Sequence, residues 1–152
     1  MRRRNVLLLI VTGVLVFLLV SAVLARALSV GGAEDSAITS MIRAQARGDV
    51  PALQSAITGC RADAACRARA VENATSLKRS GSVSIIQIQP SAGFSLSSTV
   101  GTARVAWLAG SSLPIVQCVR VRHAGNVLEG FKIELLVVSP RIKTDADCPS
   151  RF

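Results

Sequence analysis

Tyrosine is absent from this chain, and tryptophan and histidine occur once each, as Trp107 and His123. With aromatic residues at only 3% of the composition, the stacking platform that reads single-stranded nucleic acid is missing. One histidine and no Gly-x-Ser-x-Gly elbow leave nothing from which a serine, histidine and acid triad is assembled. Glycine loops that cradle phosphate are absent too. Nine acidic residues face eighteen basic ones, and the pattern places no two titratable groups in a shared pocket for general acid–base work. His123 ends a strand beside Gly125 and reads as an exposed hairpin residue. These absences argue against an enzyme, so no catalytic residue and no cofactor is assigned.

Cysteine is scarce but even in number: Cys60, Cys66, Cys118 and Cys148. None of the spacings is the two-to-four-residue step of a zinc knuckle, and no metal site is assigned. Two disulfides are expected, although four cysteines allow three pairings and sequence alone does not choose among them. On one continuous helix Cys60 and Cys66 would stand about 9 Å apart along the axis, too far to bridge. A turn between them, with Gly59 as a helix stop and Asp63 as a new N-cap, makes that pair feasible. Cys118 and Cys148 then close a longer loop, contributing roughly 3 kcal/mol in the chain-entropy picture.

What the chain does have is a long apolar run. Arg2, Arg3 and Arg4 precede an uncharged stretch from Val6 to Ala25. As a helix this run is about 30 Å long, the hydrocarbon thickness of a bilayer. The arginines retain the N-terminus on the cytoplasmic side, so the chain beyond Ala25 faces away from the cytoplasm. The division expected is a cytoplasmic tail over 1–5, a transmembrane helix over 6–25, a linker over 26–34 containing Gly31-Gly32, and an extracytoplasmic domain over 35–152. The competing reading is a secretory signal peptide cleaved after Ala27, because Ala25-Arg26-Ala27 has the small-x-small pattern; the length of the run favours an anchor. Fifteen basic and nine acidic residues after the arginine triplet give this part a charge of +6, which suits anionic lipid or acidic polymer.

Past the linker the periodicity is helical. Ser36 caps a helix with Ile38, Met41, Ile42 and Ala46 on one face, ended by Gly48. Asp49 caps a second, with Pro51 in its first turn and Leu53, Ala56 and Ile57 apolar. A third runs from Asp63 to about Ser80, with a narrow stripe through Ala68, Val71, Ala74 and Leu77. Its Asn73-Ala74-Thr75 matches a glycosylation sequon that, in mid-helix, reads as chance.

After Gly81 the period becomes two, giving strands over Val83–Gln89, Thr99–Leu108, Ile115–His123 and Val127–Val138, with a polar loop over Ser91–Ser98 and a hairpin turn at Ala124-Gly125-Asn126. In the last strand Phe131, Ile133, Leu135 and Val137 share one face, Lys132, Glu134, Leu136 and Val138 the other. Asp145 and Asp147 belong to the tail. The fold class is therefore α+β: three helices on a curved four-stranded antiparallel sheet.

The break Ala46-Arg47-Gly48-Asp49, the helix pair, the hairpin-rich sheet and the final strand leading to Ser139-Pro140 resemble the nuclear transport factor 2-like cone superfamily over about residues 35 to 142. The resemblance implies a cone-like domain. Enzymatic members place acidic or histidine residues inside the cone, which this sequence does not match. The whole layout of short tail, single span and outward domain also resembles the membrane proteins associated with mammalian-cell-entry lipid transporters, and the bitopic assembly subunit of type IV secretion systems.

One candidate surface remains. Arg104, Arg120, Arg122 and Lys132 form a row of positive charge on one side of the expected sheet, fitted to an acidic protein or anionic polymer. The function expected is a non-catalytic, membrane-anchored interaction or assembly component of the bacterial envelope, contacting the bilayer through Val6 to Ala25 and an envelope protein through its domain. The alternative is a module holding a small apolar ligand against Trp107, Phe131 and Ile133.

Overall fold

Helix α1 runs without interruption over Arg2–Arg47 in the computed structural model, which describes residues 2–90, 98–126, 130–143 and 148. Outside the described residues lie the loop expected after Ser91, Val127, the tail acids Asp145 and Asp147, and the side chain of Phe131. The break expected at Gly31-Gly32, with a linker over 26–34 and a fresh start at Ser36, is not there. Each glycine costs about 1 kcal/mol in a helix, whereas nucleating a second helix costs about 4, so propagation wins.

The two halves of α1 meet different surroundings. Asn5–Ala25 is long and apolar enough to cross a membrane, and none of it is buried within the molecule. Further on, Glu34, Ile38, Met41, Ile42 and Gln45 are buried at helical spacing and form one wall of the core. The helix ends in a Schellman motif: the Asp49 N–H bonds the Ala44 carbonyl at 2.9 Å and the Gly48 N–H bonds that of Gln45 at 2.9 Å. Gly48 takes a φ of +75°, and a Cβ there would meet Lys78 Cδ at 3.1 Å.

Helix α2 (Val50–Ala56) is capped by Asp49, whose carboxylate accepts from the Ala52 N–H at 3.0 Å. Ile57, expected on this helix, is instead extended and makes a parallel bridge to Leu135. Helix α3 (Ala64–Ser76) is capped by Asp63 and stops before the expected Ser80. Its buried side is Ala70, Asn73, Ala74 and Leu77, while Ala68 and Val71 are exposed. The stripe is rotated from the expected one because hydrophobicity alone ranks Asn73 as a surface residue, and it is buried for a hydrogen bond.

Four strands follow as an antiparallel meander in the order β1 (Val83–Gln89), β2 (Thr99–Ala109), β3 (Ile115–Asn126) and β4 (Gly130–Val138). The strand β3 carries through Ala124 and Gly125 to Asn126, so the three residues expected as a hairpin turn are strand. Ala103, Val105 and Trp107 of β2, and Ile115, Val119 and Val121 of β3, are buried under the helices. A register shift between Arg120 and Val121 then exchanges the two faces at the end of β4. Leu135 pairs with Val121 and Val138 with Val119, both on the core side, while Val137 pairs with Arg120 on the outer side. The alternation expected for Val137 and Val138 is thus inverted, because Leu136 is an extra residue in the ladder.

Candidate functional site

Two polar ties fasten α1 to β3, and each joins a helix position to a strand position on the core face. The first is Glu34 with His123: the imidazole Nε2 lies 2.6 Å from Oε2 of the carboxyl group, with side chains 2% and 11% exposed. A carboxylate only accepts, so in that form the N–H belongs to Nε2. His123 is therefore not the exposed hairpin residue expected from its neighbour Gly125. It lies two positions beyond Val121 on the same strand face, paired across the sheet with Thr99 and Ile133.

The second tie is an amide pair. Gln45 donates to Gln117 Oε1 at 2.7 Å, Gln117 donates back to Gln45 Oε1 at 3.3 Å, and the Trp107 indole N–H also bonds Gln117 Oε1, at 3.0 Å. The second amide hydrogen of Gln117 goes to the Ser139 carbonyl at 2.8 Å, which also accepts from Asn73 at 3.1 Å. Gln45, Asn73, Trp107 and Gln117 all have no exposed surface. Asn73 is thereby spent inside the fold, which removes its sequon from any glycosylating enzyme. Trp107, expected as a ligand-lining residue, is core with its polar edge satisfied, and Ile133 packs partly buried against that core.

The four predicted basic residues do share the outer face. Cross-strand partners lie on one side of a sheet, and Arg104 faces Cys118, Arg122 faces Glu134, and Lys132 faces Ala124. They are not equivalent there. Arg104 is half-buried and itself engaged, whereas Arg122 and Lys132 have side chains 45% and 79% exposed. Glu134, set between these two at 3.3 Å and 3.8 Å, is 17% exposed.

Both disulfides form as the local argument allows: Cys60–Cys66 with Cα atoms 5.1 Å apart, and Cys118–Cys148 with 5.7 Å. The first closes the turn between α2 and α3, and Cys66 sits in the first turn of α3. The second holds Cys148 against β3, along whose edge Ser139 and Ile142 bond the backbone of Cys118 and Val116.

Two recesses accompany these features. A groove of about 430 Å³ on the outer face is lined by Gln87, Gln89, Arg104, Ala106 and Val116. A cleft of about 220 Å³ between α3 and β4 includes Asp63, Cys66, Arg69 and Val137. Trp107 lines neither. Among the described residues no group of three or more histidine, cysteine or acidic side chains is arranged to hold a metal ion. No known family model, curated protein or solved structure matches the chain.

Sequence reasoning missed the Glu34 and His123 pair and the glutamine network. The signal for both was present: Glu34 and Gln45 lie four before Ile38 and four after Met41, on one helical stripe.

Proposed function

We propose that this protein is a non-catalytic, membrane-anchored extracytoplasmic domain that serves as an interaction or assembly component of the cell envelope. The observation that carries this reading is α1. Its exposed apolar half and its buried half are one helix, so the span is joined to the domain by hydrogen-bonded backbone rather than by a slack tether. An anchor of that kind fixes where a domain stands, which is what a scaffold requires and a freely diffusing binder does not. The two disulfides are supported by an oxidising compartment, consistent with an outward-facing domain. Three helices on one face of a four-strand meander also favour the cone-like arrangement of the nuclear transport factor 2-like superfamily.

Membrane fractionation tests the reading. The full chain is expected to stay with membranes after alkaline carbonate washing, to keep its N-terminal arginines, and to expose its domain to protease added outside the cytoplasmic membrane. A mature chain beginning at Leu28 and recovered in the soluble fraction would replace the anchor with a secreted domain. Cleavage there would spare the core, whose first buried residue among those described is Glu34.

A further inference from the structure

The two ties between α1 and β3 give the domain a direction. Moving from Glu34 to Gln45 along the helix corresponds to moving back from His123 to Gln117 along the strand. Eleven helical residues span about 17 Å and six strand residues about 20 Å, so the two elements run side by side and antiparallel. The 123 end of β3 therefore lies on the side from which the apolar half of α1 departs, and the 115 end lies away from it.

Counting residues places that end. Glu34 is nine residues past Ala25, about 14 Å along the helix. Head groups occupy roughly 5–8 Å outside the hydrocarbon core on each side. Ala124 and Gly125 extend β3 beyond His123 by about 7 Å toward the bilayer, and Lys132 is the cross-strand partner of Ala124. Helix tilt, about 20° on average, lowers the whole end further. A lysine stem then reaches the phosphate layer.

Resting on the membrane-anchored reading, we infer that the β3–β4 end of the sheet sits on the lipid head groups, with Lys132 as its phosphate-binding residue and Arg122 one step further from the bilayer, paired with Glu134. The cations point outward while Glu134 between them is held back. Asp35 is an exposed acid on α1 at this level and sets a limit on the attraction. Arg104, paired with Cys118 five residues earlier on β3 than His123, stands too high to take part. This divides the basic row into a lipid-facing end and a part that stands clear of the head groups.

The chain carries its own reporters, since its three lysines are Lys78, Lys132 and Lys143. Lys78 packs near Gly48 at the far end of α1, and Lys143 follows Ile142, which bonds Val116 at the far end of β3. All three are exposed in the isolated fold. The full chain in phosphatidylglycerol nanodiscs is treated with an amine-acylating reagent, and the labelling rate of each lysine is read by mass spectrometry. Lys132 is expected to label about fivefold more slowly than Lys78 and Lys143, the ratio matching one cation held at an anionic lipid surface. A seven-residue helical insertion after Ala27 lifts the domain by about 10 Å while nearly preserving its rotational phase, and should restore the Lys132 rate. Equal labelling of the three lysines in the unaltered chain, or no recovery on insertion, overturns the inference. A chain that fails to float with lipid after carbonate washing overturns the anchored reading as well, which keeps the two failures apart.

Discussion

Glu34 and His123, 89 residues apart in sequence, face each other at 2.6 Å between α1 and the third strand of the sheet. The pair is nearly out of reach of water. Removing one partner of such a buried pair takes from the other its 2.6 Å contact in a place where water does not replace it.

Glu34→Ala and His123→Ala are therefore each expected to lower unfolding stability by about 3–5 kcal/mol. Glu34→Gln, which keeps an acceptor oxygen, should lose about 1–2 kcal/mol. The double replacement Glu34→Met with His123→Leu should lose less than either alanine variant. Urea unfolding of the full chain in bicelles, followed by circular dichroism, measures all four.

Gln117→Leu strands the Trp107 indole N–H, the Gln45 amide and part of the demand of the Ser139 carbonyl at once. A loss of about 2–4 kcal/mol is expected, from two orphaned buried donors. Because Trp107 is the chain's single tryptophan, its fluorescence reports the change directly. The native emission should stay blue-shifted in the variant while the unfolding midpoint falls.

Gly48→Ala forces a side chain onto a φ of +75° and toward Lys78 Cδ at 3.1 Å and the Ala74 carbonyl at 3.3 Å. The left-handed backbone alone costs about 1–2 kcal/mol. Thermal unfolding should show the drop, and Lys78→Ala in the same chain should relieve only the steric part of it.

The disulfides should contribute unequally. In the chain-entropy picture the 30-residue separation of Cys118 and Cys148 is worth about 3.5 kcal/mol, against about 2 for the 6-residue separation of Cys60 and Cys66. Replacing each pair with alanine and comparing denaturation midpoints checks the order. Equal losses would mean that packing around Cys60, buried inside the core, outweighs loop length.

Element types and most boundaries are legible because the period of the apolar residues changes once, at Gly81, and stays clean on either side. The turn signals at Gly59 and Asp63 make the Cys60–Cys66 pair feasible, whereas the choice among the three pairings is made only by the fold. His123 is misplaced by the sequence because Gly125 looks like the turn itself, although counting two from Val121 puts the imidazole inside. Gly31-Gly32 suggests a linker because glycine is a weak helix former, a local cost that continuity of the flanking helix overrides. The register shift at Arg120 has no visible signal: Leu135, Leu136, Val137 and Val138 are all apolar, and such a run has no parity to read. Asn73 and the glutamines are hidden for a simpler reason, since polarity marks a surface residue until its partner in the fold is known.

The buried stripe of α1 also sets an order of events. Glu34 and Gln45 emerge during synthesis well before their partners His123 and Gln117, which come 89 and 72 residues later. At about 5–20 residues per second, that is several seconds during which Ile38, Met41 and Ile42 have no sheet to cover them. The first core segment made waits longest for its partners, so a nascent chain stalled before β3 presents an uncovered apolar helix face to whatever binds unfinished proteins.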